Sequence, residues 1–136
     1  MLQKRFAVTS LLLIAVMLAL HTAATMFYWY VSIPWYDMMM HTLGGIFLGV
    51  FTAAIFTRHI KEMNRFEIIV TILLMVLIIG LGWEYFEYAV QYFIKGSARL
   101  ADVADSVSDI CCDMIGGVVG ALFVLKSKTR YNVGNE

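Results

Sequence analysis

The acidic residues of this chain sit where carboxylates are costly. The stretch "DSVSDICCDM" at residues 105–114 sets Asp105, Asp109 and Asp113 four apart inside an apolar segment, and Asp102 precedes them by three positions. At 100° per residue these four fall within an arc of about 80°, so a helix carries them on one face. "YDMMMH" places Asp37 and His41 one helical turn apart, and "WEYFEY" puts Glu84 and Glu87 on a shared face. Of the ten acids, Glu62 and Glu67 flank a basic loop and Glu136 ends the chain; the other seven are those just named. Two like charges about 6 Å apart at an effective dielectric near 20 repel by roughly 3 kcal/mol. Seven converging carboxylates are therefore either protonated in part or neutralised by cations. Oxygen donors with one or two imidazoles suit a divalent ion such as Mg²⁺, Mn²⁺, Ca²⁺, Fe²⁺ or Zn²⁺. The expected metal ligands are Asp37, His41, Glu84, Glu87, Asp102, Asp105, Asp109 and Asp113, with His21 left open as a further member. The competing reading is a set of protonated acids that hydrogen-bond across helices. Ionisable residues in membrane spans mark functional sites by default, which favours the first.

The elements that must position these groups follow from composition. Of 136 residues, 61% are hydrophobic and 15% charged, with a mean hydropathy of +0.79. Apolar stretches near the roughly 20 residues needed to cross a bilayer identify an integral membrane protein. Four spans are expected at about 6–30, 38–57, 67–93 and 105–125, joined by short segments. The fold class is therefore all-α, a membrane four-helix bundle forming one domain over 1–136. Lys4 and Arg5, then Arg58, Lys61 and Arg65, then Lys126, Lys128 and Arg130 fall on one side, against Lys95 and Arg99 on the other. That asymmetry predicts both termini in the cytoplasm and a multi-pass protein of the cell inner (plasma) membrane. The first 24 residues also have the form of a signal peptide, but the apolar character runs on through "TMFYWYV", which favours a retained span.

Counted inward from the outer ends, Glu84 and Asp113 both lie about eight to ten residues deep, roughly 12–15 Å at 1.5 Å per residue. His21 sits at a comparable depth and His41 about one turn shallower, so the acidic stripes match in height. Gly44, Gly116 and Gly120 continue the acidic stripes inward and predict close helix approach. The aromatics near the same ends, from "FYWY" at 27–30 to Tyr92 and Phe93, read as an interfacial belt. Cys111 and Cys112 read as packing thiols, His59 as a solvated loop residue, and Ser106 and Ser108 as polar packing. No P-loop, HExxH or Ser-His-Asp order occurs, and no charge run suits nucleic acid.

The three motifs together, "YDMMMHTLGG", "WEYFEY" and "DVADSVSDICCDMIGGVVGAL", resemble the small polytopic inner-membrane proteins of the YjdF-like group. That group carries D-x-x-x-H, then E-x-x-E, then an aspartate-rich D-x-x-D-x-x-x-D segment leading into a Gly-containing helix. The likeness covers roughly residues 35–125, and VanZ-like proteins are a more distant resemblance. It implies a membrane protein without supplying a reaction. CDP-alcohol phosphotransferases also hold metals on intramembrane aspartates, but their D-G-x-x-A-R element is absent here. Three functions remain open. The first is a metal-dependent hydrolase or transferase acting on a lipid-linked phosphate, with Lys95 and Arg99 receiving the anionic headgroup. The second is a cation or proton carrier, which with four spans requires a homo-oligomer. The third is a non-catalytic membrane subunit with a structural acidic cluster.

Overall fold

The computed structural model describes residues 1–95 and 101–133, apart from the side chains of Lys95, Ala101 and Asp102. The described residues form helices α1 (Leu2–Met26), α2 (Trp29–Ser32), α3 (Tyr36–Ile55), α4 (Thr57–Glu62), α5 (Arg65–Lys95) and α6 (Ala101–Val133). α1, α3, α5 and α6 are long and apolar enough to cross a membrane, while α2 and α4 are short connectors.

The helix ends have local causes. α1 stops at Met26 rather than continuing to residue 30, because Tyr28 adopts a left-handed conformation with φ 58° and ψ 33°. Its carbonyl then accepts the amides of Val31 and Ser32, each at 3.0 Å, closing the single turn of α2. Ile33, forced extended by the following Pro34, ends that turn. α3 starts and stops two residues earlier than its expected span, because Thr57 opens α4 instead of ending α3. The N-terminus of α5 is capped reciprocally: Glu67 Oε2 accepts the Asn64 amide at 2.7 Å, and Asn64 Oδ1 accepts the Glu67 amide at 3.0 Å. α6 has 33 residues, far beyond the expected 105–125. At 1.5 Å per residue it is about 50 Å long, so its ends leave a hydrocarbon layer about 30 Å thick.

α3 and α6 form the closest pair, with α1 against α3 and α5 against both α6 and α3. Small residues make that closeness necessary and possible. A Cβ at Gly45 would overlap the Asp113 carbonyl, one at Gly116 would overlap the Thr42 carbonyl, and Gly49 meets Gly120 backbone to backbone. Below this seam lies an apolar core that includes Phe6, Val50, Ile68, Ile72, Val76 and Val124. Beside the core, Arg5 lies over the Phe123 ring, Lys61 lies over Tyr131, and Lys128 donates to the Met63 carbonyl. These contacts gather the start of α1, the α4–α5 turn and the last turns of α6 at one end of the bundle. Asp37, Glu84, Glu87, Asp109 and Asp113 lie at the other.

Candidate metal centre

α3 supplies Asp37 and His41, one turn apart, and the glycine seam holds that face against α6. The His41 ring, 9% exposed, lies between two aspartates of α6. Its Nδ1 is 3.4 Å from Asp113 Oδ1, and its Nε2 is 3.9 Å from Asp109 Oδ2. Asp113 reaches this position because Gly80 of α5 leaves room: a Cβ there would stand 2.8 Å from Asp113 Oδ2. One turn further along α5, Glu84 is buried and Glu87 half-buried, both facing the same space.

Two sets of donors approach closely enough to share an ion. One ligand atom each from Asp37, His41 and Asp109 lie within 4.8 Å of one another, and so do atoms from His41, Glu84 and Glu87. Donors on opposite sides of an ion at about 2.2 Å would lie about 4.4 Å apart, so either set needs little closure. Among the described residues, Glu84 Oε1 is buried without a hydrogen-bond partner. Glu87 also lies within electrostatic reach of Asp37 and Asp105, and Asp109 within reach of Asp37, Asp105 and Glu84. Between α5 and α6, Glu84, Glu87, Tyr88, Gln91, Asp105 and Ser106 line a cleft of about 30 Å³. That volume holds a water or an ion rather than an organic ligand.

The eight expected ligands thus occupy different positions. His41, Asp109, Asp37, Glu84 and Glu87 bring donor atoms together, while Asp113 contacts His41 without entering either close set. Asp105 is exposed at the mouth of the cleft. The side chains of Lys95, Arg99 and Asp102 lie outside the described residues. His21 does not touch this group directly; its Nδ1 is 2.9 Å from the Tyr30 hydroxyl. Tyr30 in turn interacts electrostatically with Asp37 and Glu87.

Other residues position the centre without having stood out in the sequence. Gly80 precedes Glu84 by one turn, a spacing that could have marked it. Tyr36, buried at the start of α3, donates to the Leu20 carbonyl at 2.9 Å and ties α3 to α1. Thr42 bonds Cys112, which packs beside the aspartates rather than joining them. Trp29 and Tyr30 pack on Tyr36, so part of the expected aromatic belt braces the acidic end. Cys111 and Cys112 are free thiols.

All of these positions fall within residues 2–130, which match the family described as "Predicted membrane protein (DUF2238)". The chain belongs to that family. The YjdF-like group, whose motifs the acidic segments resemble, is this family. No curated protein and no solved structure matches the chain. As a member of the family it is a membrane protein with several apolar helices.

Proposed function

We propose that the acidic end of the bundle binds one divalent cation and uses it on a phosphate carried by a membrane lipid. The observation that carries this reading is Glu84: a nine-tenths buried carboxylate with an unpartnered oxygen, facing Glu87 and His41. A buried charged oxygen without a partner is strongly unfavourable unless something cationic meets it. In this reading His41 Nε2, Glu84 and Glu87 would hold the ion, with Asp37 and Asp109, which form a second close set with His41, beside it. Asp113 accepts from Nδ1–H of His41 and fixes the ring so that Nε2 faces the ion, the usual partner arrangement of a metal-ligating histidine. A bound ion would supply polarisation of a phosphoryl oxygen or a lowered pKa of a water, and a carboxylate it left free would serve as base. The cleft has room for the ion or a water, so a phosphate would meet the ion at the cleft's mouth, which suits a lipid whose chains stay in the bilayer. Positive-inside asymmetry supports an outward-facing centre in the inner membrane, with both termini cytoplasmic.

A second reading has one observation in its favour. His41 lies between Asp109 and Asp113, so a protonated ring would neutralise part of the cluster and leave it structural. A carrier is less well supported, because α3 from 42 to 55 and α6 from 114 to 125 contain no ionisable residue to continue a path. Metal content measured by mass spectrometry on purified protein separates the first two readings. The metal-centre reading expects about one divalent ion per chain, lost in an Asp109→Asn/Glu84→Gln double variant that still folds. Absence of a stoichiometric ion, with melting unmoved by chelator or added metal, would leave only the structural cluster.

A further inference from the structure

The end opposite the acids contains a larger cavity of about 380 Å³, between the α4–α5 turn and the last turns of α6. Buried Ile68 and half-buried Met63 and Leu125 give it apolar walls, and Arg65, Lys128 and Asn132 add polar ones. Among the described residues, no carboxylate lines it. Lys128 is half-buried, with its ammonium held at 2.5 Å by the Met63 carbonyl, so its charge is fixed beside the cavity. Arg65 is exposed, and among the described residues neither cation has a carboxylate partner. By contrast, Arg5 and Lys61 at the same end lie over aromatic rings.

A cavity of this volume is in the range of ligand sites. Its chemistry is amphiphilic: two uncompensated cations meet an apolar surface where transmembrane helices leave the hydrocarbon layer. Inorganic phosphate would satisfy the cations but gain nothing from Met63, Ile68 and Leu125. We infer that this cavity binds the headgroup and glycerol end of an anionic phospholipid, with its phosphate between Arg65 and Lys128. The site is separate from the acidic centre and stands whether or not that centre holds a metal.

The test uses the full chain in neutral detergent, with phosphatidylglycerol, phosphatidylcholine and inorganic phosphate as probes. Native mass spectrometry reads lipid retention, and melting reads stabilisation. One phosphatidylglycerol should stay bound and raise the melting temperature, while phosphatidylcholine does neither. Each cation near an anionic group contributes about a factor of five, so Arg65→Gln/Lys128→Met should bind about 30-fold more weakly. Arg58→Gln/Lys126→Gln removes the same charge from exposed positions outside the cavity, and should change retention by less than about threefold. Equal losses in both double variants would reduce the effect to general surface charge and overturn the site. Equal retention of the two lipids, or equal stabilisation by inorganic phosphate, would overturn the lipid assignment. If the Lys128 variant does not fold, Arg65→Gln alone should weaken binding about fivefold, and unchanged binding by that folded variant overturns the proposal.

Discussion

Replacing Glu84 by Gln probes the acidic centre through a change of sign. The residue is 8% exposed, its Oε1 is unpartnered, and its donor atom lies within 4.8 Å of those from Glu87 and His41. Without a cation, an unpaired buried charged oxygen costs more than the roughly 1–3 kcal/mol of a neutral one. Repulsion between two carboxylates no more than 4.8 Å apart adds ~3.5 kcal/mol or more at an effective dielectric near 20, less whatever a protonated His41 offsets. Glutamine keeps the shape and removes the charge. In chelator, therefore, the variant should be more stable than the wild type by about 1–3 kcal/mol, or ~4–12 °C in Tm. A divalent ion at about 100 times Kd adds about 2.7 kcal/mol to a chain that binds it. A variant with about 100-fold weaker affinity gains only about 0.4 kcal/mol at the same concentration. Adding metal should thus close or reverse the gap seen in chelator. Tryptophan-fluorescence melts in detergent, with chelator and then with Mg²⁺, Mn²⁺ or Zn²⁺, measure both arms. A variant that melts with the wild type under both conditions would refute the reasoning and make Glu84 a neutral member of a structural cluster.

Three further outcomes follow from single contacts. Gly80→Ala puts a Cβ 2.8 Å from Asp113 Oδ2, so the carboxylate must move at least about 0.6 Å to reach an ordinary contact; such a shift exceeds the roughly 0.5 Å that a metal site tolerates, and ion affinity should fall about tenfold with the fold retained. Calorimetric titration showing unchanged affinity would remove Asp113 from positioning His41. Gly45→Ala drives a Cβ into the Asp113 carbonyl and should cost about 3 kcal/mol or more, read as loss of the monodisperse peak in size-exclusion chromatography; a well-folded variant would show the seam to be looser than drawn. Burial first, then Asp37, Tyr36 and Glu87, hold the Tyr30 phenol above its ordinary value of 10.0. Because the raised group favours the folded state only while protonated, stability should be full below pH 10 and fall as pH rises through the folded value. Tyr30→Phe should flatten that loss in melts across pH 9–12.

The helices and their acidic stripes were legible because two strong signals coincide: apolar runs of spanning length, and acids at multiples of three and four residues. The stripes fix which side chains share a face, so Asp105, Asp109 and Asp113 could be grouped from spacing alone. Spacing does not fix how each helix is rotated against its neighbours. That rotation decides that His41 lies between Asp109 and Asp113, and that Asp37, not Asp113, joins the close donor set. The break after α1 was hidden for a related reason. "TMFYWYV" is largely apolar and aromatic, and nothing in it signals that Tyr28 takes a left-handed backbone, a conformation uncommon for residues other than glycine. Gly80 carried a local signal, one turn before Glu84, but its purpose depends on a residue of another helix.

The seam and the acidic centre depend on one register. Gly45 follows His41 by one turn on α3 and packs on the carbonyl of Asp113, while Gly116 packs on the carbonyl of Thr42, the neighbour of His41. The contacts that bring the two backbones together therefore also set the height at which the imidazole meets the α6 aspartates. A slip of α6 by one turn would move it about 5.4 Å and replace Asp113 beside His41 with Asp109 or Gly117. It would also set side chains where the glycines now allow backbone contact. Membrane helices gain little from burying apolar surface against one another, so close packing of this kind is what holds them in place. The acids, for their part, oppose association when uncompensated. Their neutralisation, by a cation or by protonation of His41, and the closing of the glycine seam must then strengthen each other: whatever neutralises the cluster also tightens α3 on α6. Chelator sensitivity of a disulfide or spectroscopic distance across that seam, rather than of overall melting alone, is where the coupling would be read.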